Sequence, residues 1–234
     1  MLRKQQREYR RQHILDVTEA LIRETNGTDF TMVEVARRAR MSEPTPYNLF
    51  GGKGAIIYAL LNGAMDDLML GEQAYAAGSA AALHPVVAMI HAAEFFIADP
   101  ELFRPLFKYQ LGEYAYAERP AYMDRALQYW RTSLNALVTD GTLDPALGGS
   151  GFSRDDLAIP LLAQSVGLLD LWVQGEFTDD EFRARMTISA ALIVYPAVDA
   201  ASRLILDRTI REARSNIRQD FSFQLVSHIN SSKP

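Results

Sequence analysis

The chain has 234 residues, 48% of them hydrophobic, which allows one large domain or a small domain beside a larger one and excludes a disordered chain. It has no cysteine, which excludes disulfides and thiolate metal sites and fits a cytoplasmic setting. The net charge of −5 is unevenly spread: Lys and Arg outnumber Asp and Glu ten to seven through Lys53, and are outnumbered twenty-two to fourteen after it. A basic head on an acidic body is the asymmetry expected when only one end meets phosphate, although Arg3, Lys4, Arg7, Arg10 and Arg11 could equally solvate a helix. The basic N-terminus leads into no continuous apolar stretch, so no signal peptide is expected. The apolar run Ile188 to Val198 is too short for a bilayer and carries Pro196, so no membrane partner is expected.

In chain order, nearly everything reads as helix. Ile14, Val17, Leu21 and Ile22 form an apolar stripe, and Asn26-Gly27 supplies a left-handed stop. Thr31 to Glu34 reads as a capping box opening a short helix that buries Val35, Ala36 and Ala39. Ser42 is the expected N-cap of a third helix ending near Phe50. A fourth helix is expected from about Gly54 to Glu72, with Ile56, Leu60, Ala64 and Leu68 on one side. The Ala- and Gly-rich stretch Ala74 to Pro85 is the expected domain junction. Further helices are expected at 85–98, 100–114, 118–140 and 153–174, with a long loop at 144–153. A final segment runs from 180 to about 219. Pro160 and Pro196 fall inside the last two segments and are expected to kink or interrupt them. The fold class is therefore all-α.

Phe30 to Lys53 carries the functional signal. Two short helices joined by a tight turn form a helix-turn-helix, whose second helix can enter the major groove. The start of that helix must present short or polar side chains, and Glu43, Pro44, Thr45 and Asn48 do so. Tyr47 can reach phosphate through its hydroxyl. Lys53 opens the fourth helix, where amide N–H groups also favour phosphate. Geometry alone leaves open a purely structural helix pair.

The same stretch resembles the DNA-binding domain of the TetR (tetracycline-repressor) family of transcriptional regulators. The resemblance rests on Gly27, Phe30-Thr31, the run Val35 to Ser42, Thr45-Pro46-Tyr47-Asn48-Leu49-Phe50, and Lys53. It implies that Thr31, Ser42, Tyr47 and Lys53 contact phosphates and that Glu43, Pro44, Thr45 and Asn48 lie nearest the bases. Two positions depart from the pattern. Arg40 stands where the family usually has Gly at the turn, and Pro46 where it has a branched apolar residue. Pro46 is expected to delete about one helical hydrogen bond.

Weaker resemblance extends to Asp99 through Phe107 and to Trp172-Val-Gln-Gly175. It implies that the last two long helices, about 154–174 and 180–206, pair with their copies in a homodimer. Candidate contacts are Leu161, Leu168, Leu169, Trp172, Leu192 and Tyr195, and each could instead be core of its own subunit. Phe95, Phe96, Phe103, Phe107, Tyr109, Tyr114, Tyr122, Tyr129 and Trp130 crowd one segment. Together with Trp172 they are candidates to line a pocket for a small-molecule effector, with His91, Gln110 and Gln128 to orient it; plain core packing competes for each. Arg208, Arg211, Arg214 and Arg218 read as a solvated helix face.

No nucleotide-binding loop, nucleophile elbow or dinucleotide fingerprint appears, and His91 with Glu94 is a lone, reversed half of a di-iron motif. No enzyme, metal or cofactor is expected. The expected organisation is a DNA-binding domain at 1–53, a linking helix to about 73, and a ligand-binding and dimerisation domain at 74–234. The expected function is a repressor that binds a near-palindromic double-stranded operator and leaves it when a small hydrophobic or aromatic ligand binds. The alternatives are an activator and a helical DNA-binding protein with no ligand switch.

Overall fold

A computed structural model describes residues 2–76, 78–112, 117–139 and 153–217. Tyr114, the expected loop at 144–152, Arg218 and the tail beyond it lie outside the described residues. Among the described residues there is helix and no strand. The elements are α1 (Leu2–Thr25), α2 (Met32–Arg38), α3 (Pro44–Phe50), α4 (Lys53–Ala76), α5 (His84–Ile97), α6 (Pro100–Gly112), α7 (Arg119–Ser133), α8 (Asn135–Thr139), α9 (Asp155–Val173), α10 (Asp179–Val194) and α11 (Ala200–Arg214).

Local chemistry explains most boundaries. Asn26 turns out of α1 at φ 48°. Thr31 caps α2, its hydroxyl accepting the Glu34 N–H at 3.1 Å. α2 ends in paired bonds from Met41 N–H to the Ala36 carbonyl (2.9 Å) and from Arg40 N–H to the Arg37 carbonyl (3.2 Å). That Schellman closure needs a left-handed residue, and Arg40 occupies it at φ 53°. Thr178 and Glu181 form a complete capping box at the start of α10.

Four expectations are corrected. Ser42 does not cap α3 through its side chain; its Oγ lies 2.7 Å from Thr45 Oγ1, while Glu43 is already helical and Pro44 has no N–H to offer. Pro46 removes no hydrogen bond. It sits in the first turn, where N–H groups lack helical partners, and the Ser42 carbonyl accepts Thr45 N–H at 2.9 Å instead. The single helix expected at 118–140 divides at Leu134 into α7 and α8. Pro196 breaks the last segment in a 3-10 turn, whereas Pro160 lies inside an uninterrupted α9.

The linking helix α4 packs on α1 and α3 at one end and on α5 and α7 farther along, so one continuous core runs from head to body. A second tie is polar. Arg23 of α1 forks onto both oxygens of Asp99, the residue before α6, and also bonds Glu19 at 2.6 Å. These carboxylates raise the Arg23 pKa above its ordinary value, the hydrogen bond that Arg23 donates to Asp99 being the largest cause.

Candidate DNA-binding face and effector cavity

The α2–turn–α3 unit is built to leave one face bare. Val35, Ala36, Ala39 and Pro46 point into the core. Thr31, Ser42, Glu43, Pro44, Tyr47 and Asn48 are exposed, and Thr45 is half-buried. Tyr47 is 50% exposed, unusual for a tyrosine with a core within reach. Burying Pro46 turns Tyr47 and Asn48 outward together. Arg38 clamps α2 to α1 through both oxygens of Glu24, at 2.9 and 2.6 Å.

Two basic residues of the head have other partners. Arg11 donates to the Leu49 carbonyl near the end of α3 and lies 4.1 Å from the Phe50 ring centroid, so it anchors α3. Lys53 is half-buried, its ammonium 5.2 Å from the Phe30 ring and 5.6 Å from the Tyr109 ring. Tyr109 belongs to α6, so this lysine touches both head and body.

Inside the body, a small cavity of about 50 Å³ lies between α4, α5, α6, α7, α9 and α10. Phe96, Phe107, Tyr122, Tyr129 and Trp130 line it, with Gln110, Ser165 and the flexible Met65, Met123 and Met186. Tyr129 donates its hydroxyl to the Ala88 carbonyl at 2.7 Å. Burial raises the Tyr122 phenol well above its ordinary pKa, so it stays neutral. Phe95 and Phe103 lie elsewhere, in an open groove between α1, α4 and the α5–α6 corner that also holds Arg23 and Asp99. Trp172 is also outside the cavity. It stacks on Phe182 (5.1 Å, 16°), donates Nε1–H to Asp179 at 2.8 Å and carries the Arg104 guanidinium 4.3 Å from its ring. His91 packs on α4: a Cβ at Gly71 would lie 2.7 Å from its ring. Glu94 lies 3.6 Å from Arg183. Among the described residues no group of three His, Asp or Glu could hold a metal ion.

No family model matches the sequence, and no curated protein matches it. Solved structures do. The repressor of the Stenotrophomonas maltophilia multidrug efflux pump SmeDEF, SmeT, is similar with a TM-score of 0.61 at 20% identity, over 82% of this chain and 92% of that one. A TetR-family transcriptional regulator from Streptomyces coelicolor gives a TM-score of 0.57 at 20% identity, over 91% of both chains. The fold is that of the TetR-family regulators.

On this TetR-type fold, α9 and α10 present an adjoining outer surface, joined by a Gln164–Ser189 contact at 3.4 Å. Its apolar residues include Ile159 (53% exposed) and Leu192 (57%), with Tyr195 half-buried beside them. Leu161, Leu168 and Leu169 face the other way, into the subunit's own core, and Leu169 lines the cavity. Helical spacing marks both faces of α9 as apolar, so it could not separate inner from outer. Sequence reasoning also passed over Met65, Leu162, Ser165 and Met186 as cavity lining, and the Arg23–Asp99 tie. A stripe along α4 was visible, but nothing local says which helix it meets.

Proposed function

We propose that the chain is a one-component transcriptional regulator of the TetR family, a cytoplasmic repressor rather than an enzyme. It binds a near-palindromic operator as a homodimer and is released by a small hydrophobic or aromatic molecule. The observation that carries this reading is the α2–α3 pair, whose outer face exposes Tyr47, Asn48, Pro44 and Glu43 while its inner face is fully packed. Residues 1–53 are the DNA-binding unit, the linking helix extends to about 73, and residues 74–234 bind ligand and partner. Glu43, Pro44, Thr45 and Asn48 approach base edges; Thr31, Ser42, Tyr47 and Lys53, with the exposed Arg3, Lys4, Arg7 and Arg10, meet phosphates. Dimers form through the outer surface of α9 and α10, Ile159, Leu192 and Tyr195 included. This places two α3 helices about 34–36 Å apart, or a multiple of that.

Helix α6 is the connector. It carries Phe107 and Gln110 on the cavity and Tyr109 against Lys53, and it begins beside Asp99, which holds Arg23. A ligand that displaces α6 acts on both contacts to the head. The two conformers must differ by several kcal/mol in ligand affinity for decisive release. A cavity of about 50 Å³ holds little more than one or two waters. That observation favours a second reading, a DNA-binding protein with no ligand switch.

The test is a fluorescence-anisotropy titration of the full chain against DNA upstream of its own gene, at two salt concentrations. Tight binding that survives excess random DNA and weakens with salt supports the regulator reading. Lys53→Ala is expected to weaken all sequences and to lower the salt slope by about 1 per subunit. Asn48→Ala is expected to alter the preferred bases more than the general affinity. Weak binding that is blind to sequence, there and in a genome-wide selection of sites, overturns the regulator reading.

A further inference from the structure

The cavity lining is mostly apolar, and Gln110 is its one amide. Gln110 is 4% exposed, on α6, among aromatic rings and methionines. Its Nε2 donates to the Met123 sulfur, at 3.9 Å, which leaves the second N–H of the amide for another acceptor. A buried primary amide that leaves most of its hydrogen-bonding capacity unused is costly unless something else completes it. Two other polar lining groups are engaged: Ser165 donates to the Leu162 carbonyl at 2.8 Å and Tyr129 to that of Ala88 at 2.7 Å, while the Tyr122 hydroxyl and the Trp130 indole N–H sit on ring side chains of the same lining. None of the described lining residues is Asp, Glu, Lys, Arg or His.

We infer that the cavity selects uncharged aromatic ligands bearing one hydrogen-bonding group, such as a carbonyl, and that Gln110 is the residue that reads this group. The inference rests on the cavity being the effector site. A charged ligand would be stripped of water among Phe96, Phe107, Tyr122 and Trp130 with no counter-ion, whereas a neutral carbonyl accepts from the Gln110 amide and keeps its rings in apolar contact. The present volume requires side chains to give way. Met65, Met123 and Met186, unbranched and rich in rotamers, are suited to do so.

The experiment uses the full chain and four naphthalenes of matched size: 2-acetylnaphthalene, 2-ethylnaphthalene, 2-naphthoate and 2-naphthylmethylammonium. Affinity is read by calorimetric titration and by the rise in melting temperature. The acetyl compound is expected to bind about tenfold tighter than the ethyl compound, the gain of one buried hydrogen bond. Both ions are expected to bind more weakly than the ethyl compound. Gln110→Leu should erase the acetyl-over-ethyl preference while keeping affinity for the ethyl compound. Gln110→Glu should shift preference toward the ammonium ion, a readout that survives modest destabilisation. Ala126→Trp, which fills the cavity, should abolish binding of all four. If either ion binds as well as the acetyl compound and Ala126→Trp abolishes it, the site is right and the selectivity inference is overturned. If binding persists in Ala126→Trp, or none of the four binds, the cavity reading itself is overturned and the inference with it.

Discussion

The head and the body of this molecule hold their chemistry in opposite ways. In the head, the polar residues around α3 lie outside the core, and Tyr47 and Asn48 contribute little packing. In the body, Phe96, Phe107, Tyr122, Tyr129 and Trp130 are at once the lining of the cavity and the core of the domain. A recognition surface on the outside can change without touching stability. A recognition surface inside the core cannot, because each side chain that would meet a ligand also holds two helices together. The body divides part of the work: flexible methionines and one amide join the rings that line the cavity, while the rigid Trp172–Phe182 stack stands outside it.

Trp172 is the strongest test of that division. It is fully buried and bound on three sides, by Phe182, Asp179 and Arg104, yet it does not line the cavity. Trp172→Ala is expected to cost about 3–5 kcal/mol in urea unfolding. The relative affinities of the four naphthalenes should be preserved at temperatures where the variant is folded. A changed order of affinities would merge the stacked core with the cavity and remove the distinction between them.

The same contrast explains what the sequence reveals and what it hides. The head is written in local signals: Asn26 for a left-handed stop, Thr31 for a cap, Pro44 for a helix start, each acting within about four residues of itself. Of its two misreadings, Ser42 as cap came from treating a good capping residue apart from the proline two places on, and the hydrogen bond thought lost at Pro46 came from starting α3 too early. The all-α class and most helices of the body were also legible from periodicity. The meeting of helices was not. Leu161 and Leu192 are equally apolar in sequence, yet one is wholly buried and the other 57% exposed. Phe95 and Phe96 are neighbours on α5, and only the second lines the cavity. Gln110 could be suspected as a polar residue among aromatics, but that its amide N–H meets the Met123 sulfur is a tertiary fact.

A smaller effect of opposite sign is expected in the head. Arg40 holds φ 53° to close the Schellman turn, its side chain exposed and without a partner among the described residues. A left-handed conformation costs an ordinary L-residue about 1–2 kcal/mol, and glycine avoids this while losing some unfolded-state advantage. Arg40→Gly is expected to stabilise the head by about 0.5–1 kcal/mol, read as slower amide exchange in α2 and α3 with the body unchanged. The strain is thus a property of the turn and not of the exposed residues of α3. Lower stability in the variant would instead mean that the arginine side chain earns its place through a contact made in solution.

The smallest effect separates the two regions by pH. His91 on α5 packs its ring against the Gly71 backbone of α4, and burial lowers its pKa below the ordinary value, with Glu94 opposing in part. A histidine lowered in the folded state stays neutral there, while the unfolded chain takes up a proton near pH 6.5. The stability associated with the neutral ring is therefore complete above about pH 6.5 and is lost progressively as the pH falls from there toward the lower folded value. The α4–α5 contact should loosen first on acidification, seen as lower protection of the α5 amides, relative to their intrinsic exchange rates, at pH 5.5 than at 7.5, while α2 and α3 hold. His91→Gln keeps a polar ring-sized group without the titration, so it should flatten that dependence. An equal loss in the variant would remove His91 as its source, and a loss seen only at lower pH would belong to carboxylate pairs such as Arg131–Asp155, whose hydrogen bond lowers the Asp155 pKa. A pair of that kind also loses its contribution as pH falls, but only through the carboxylate range, well below the window in which His91 acts.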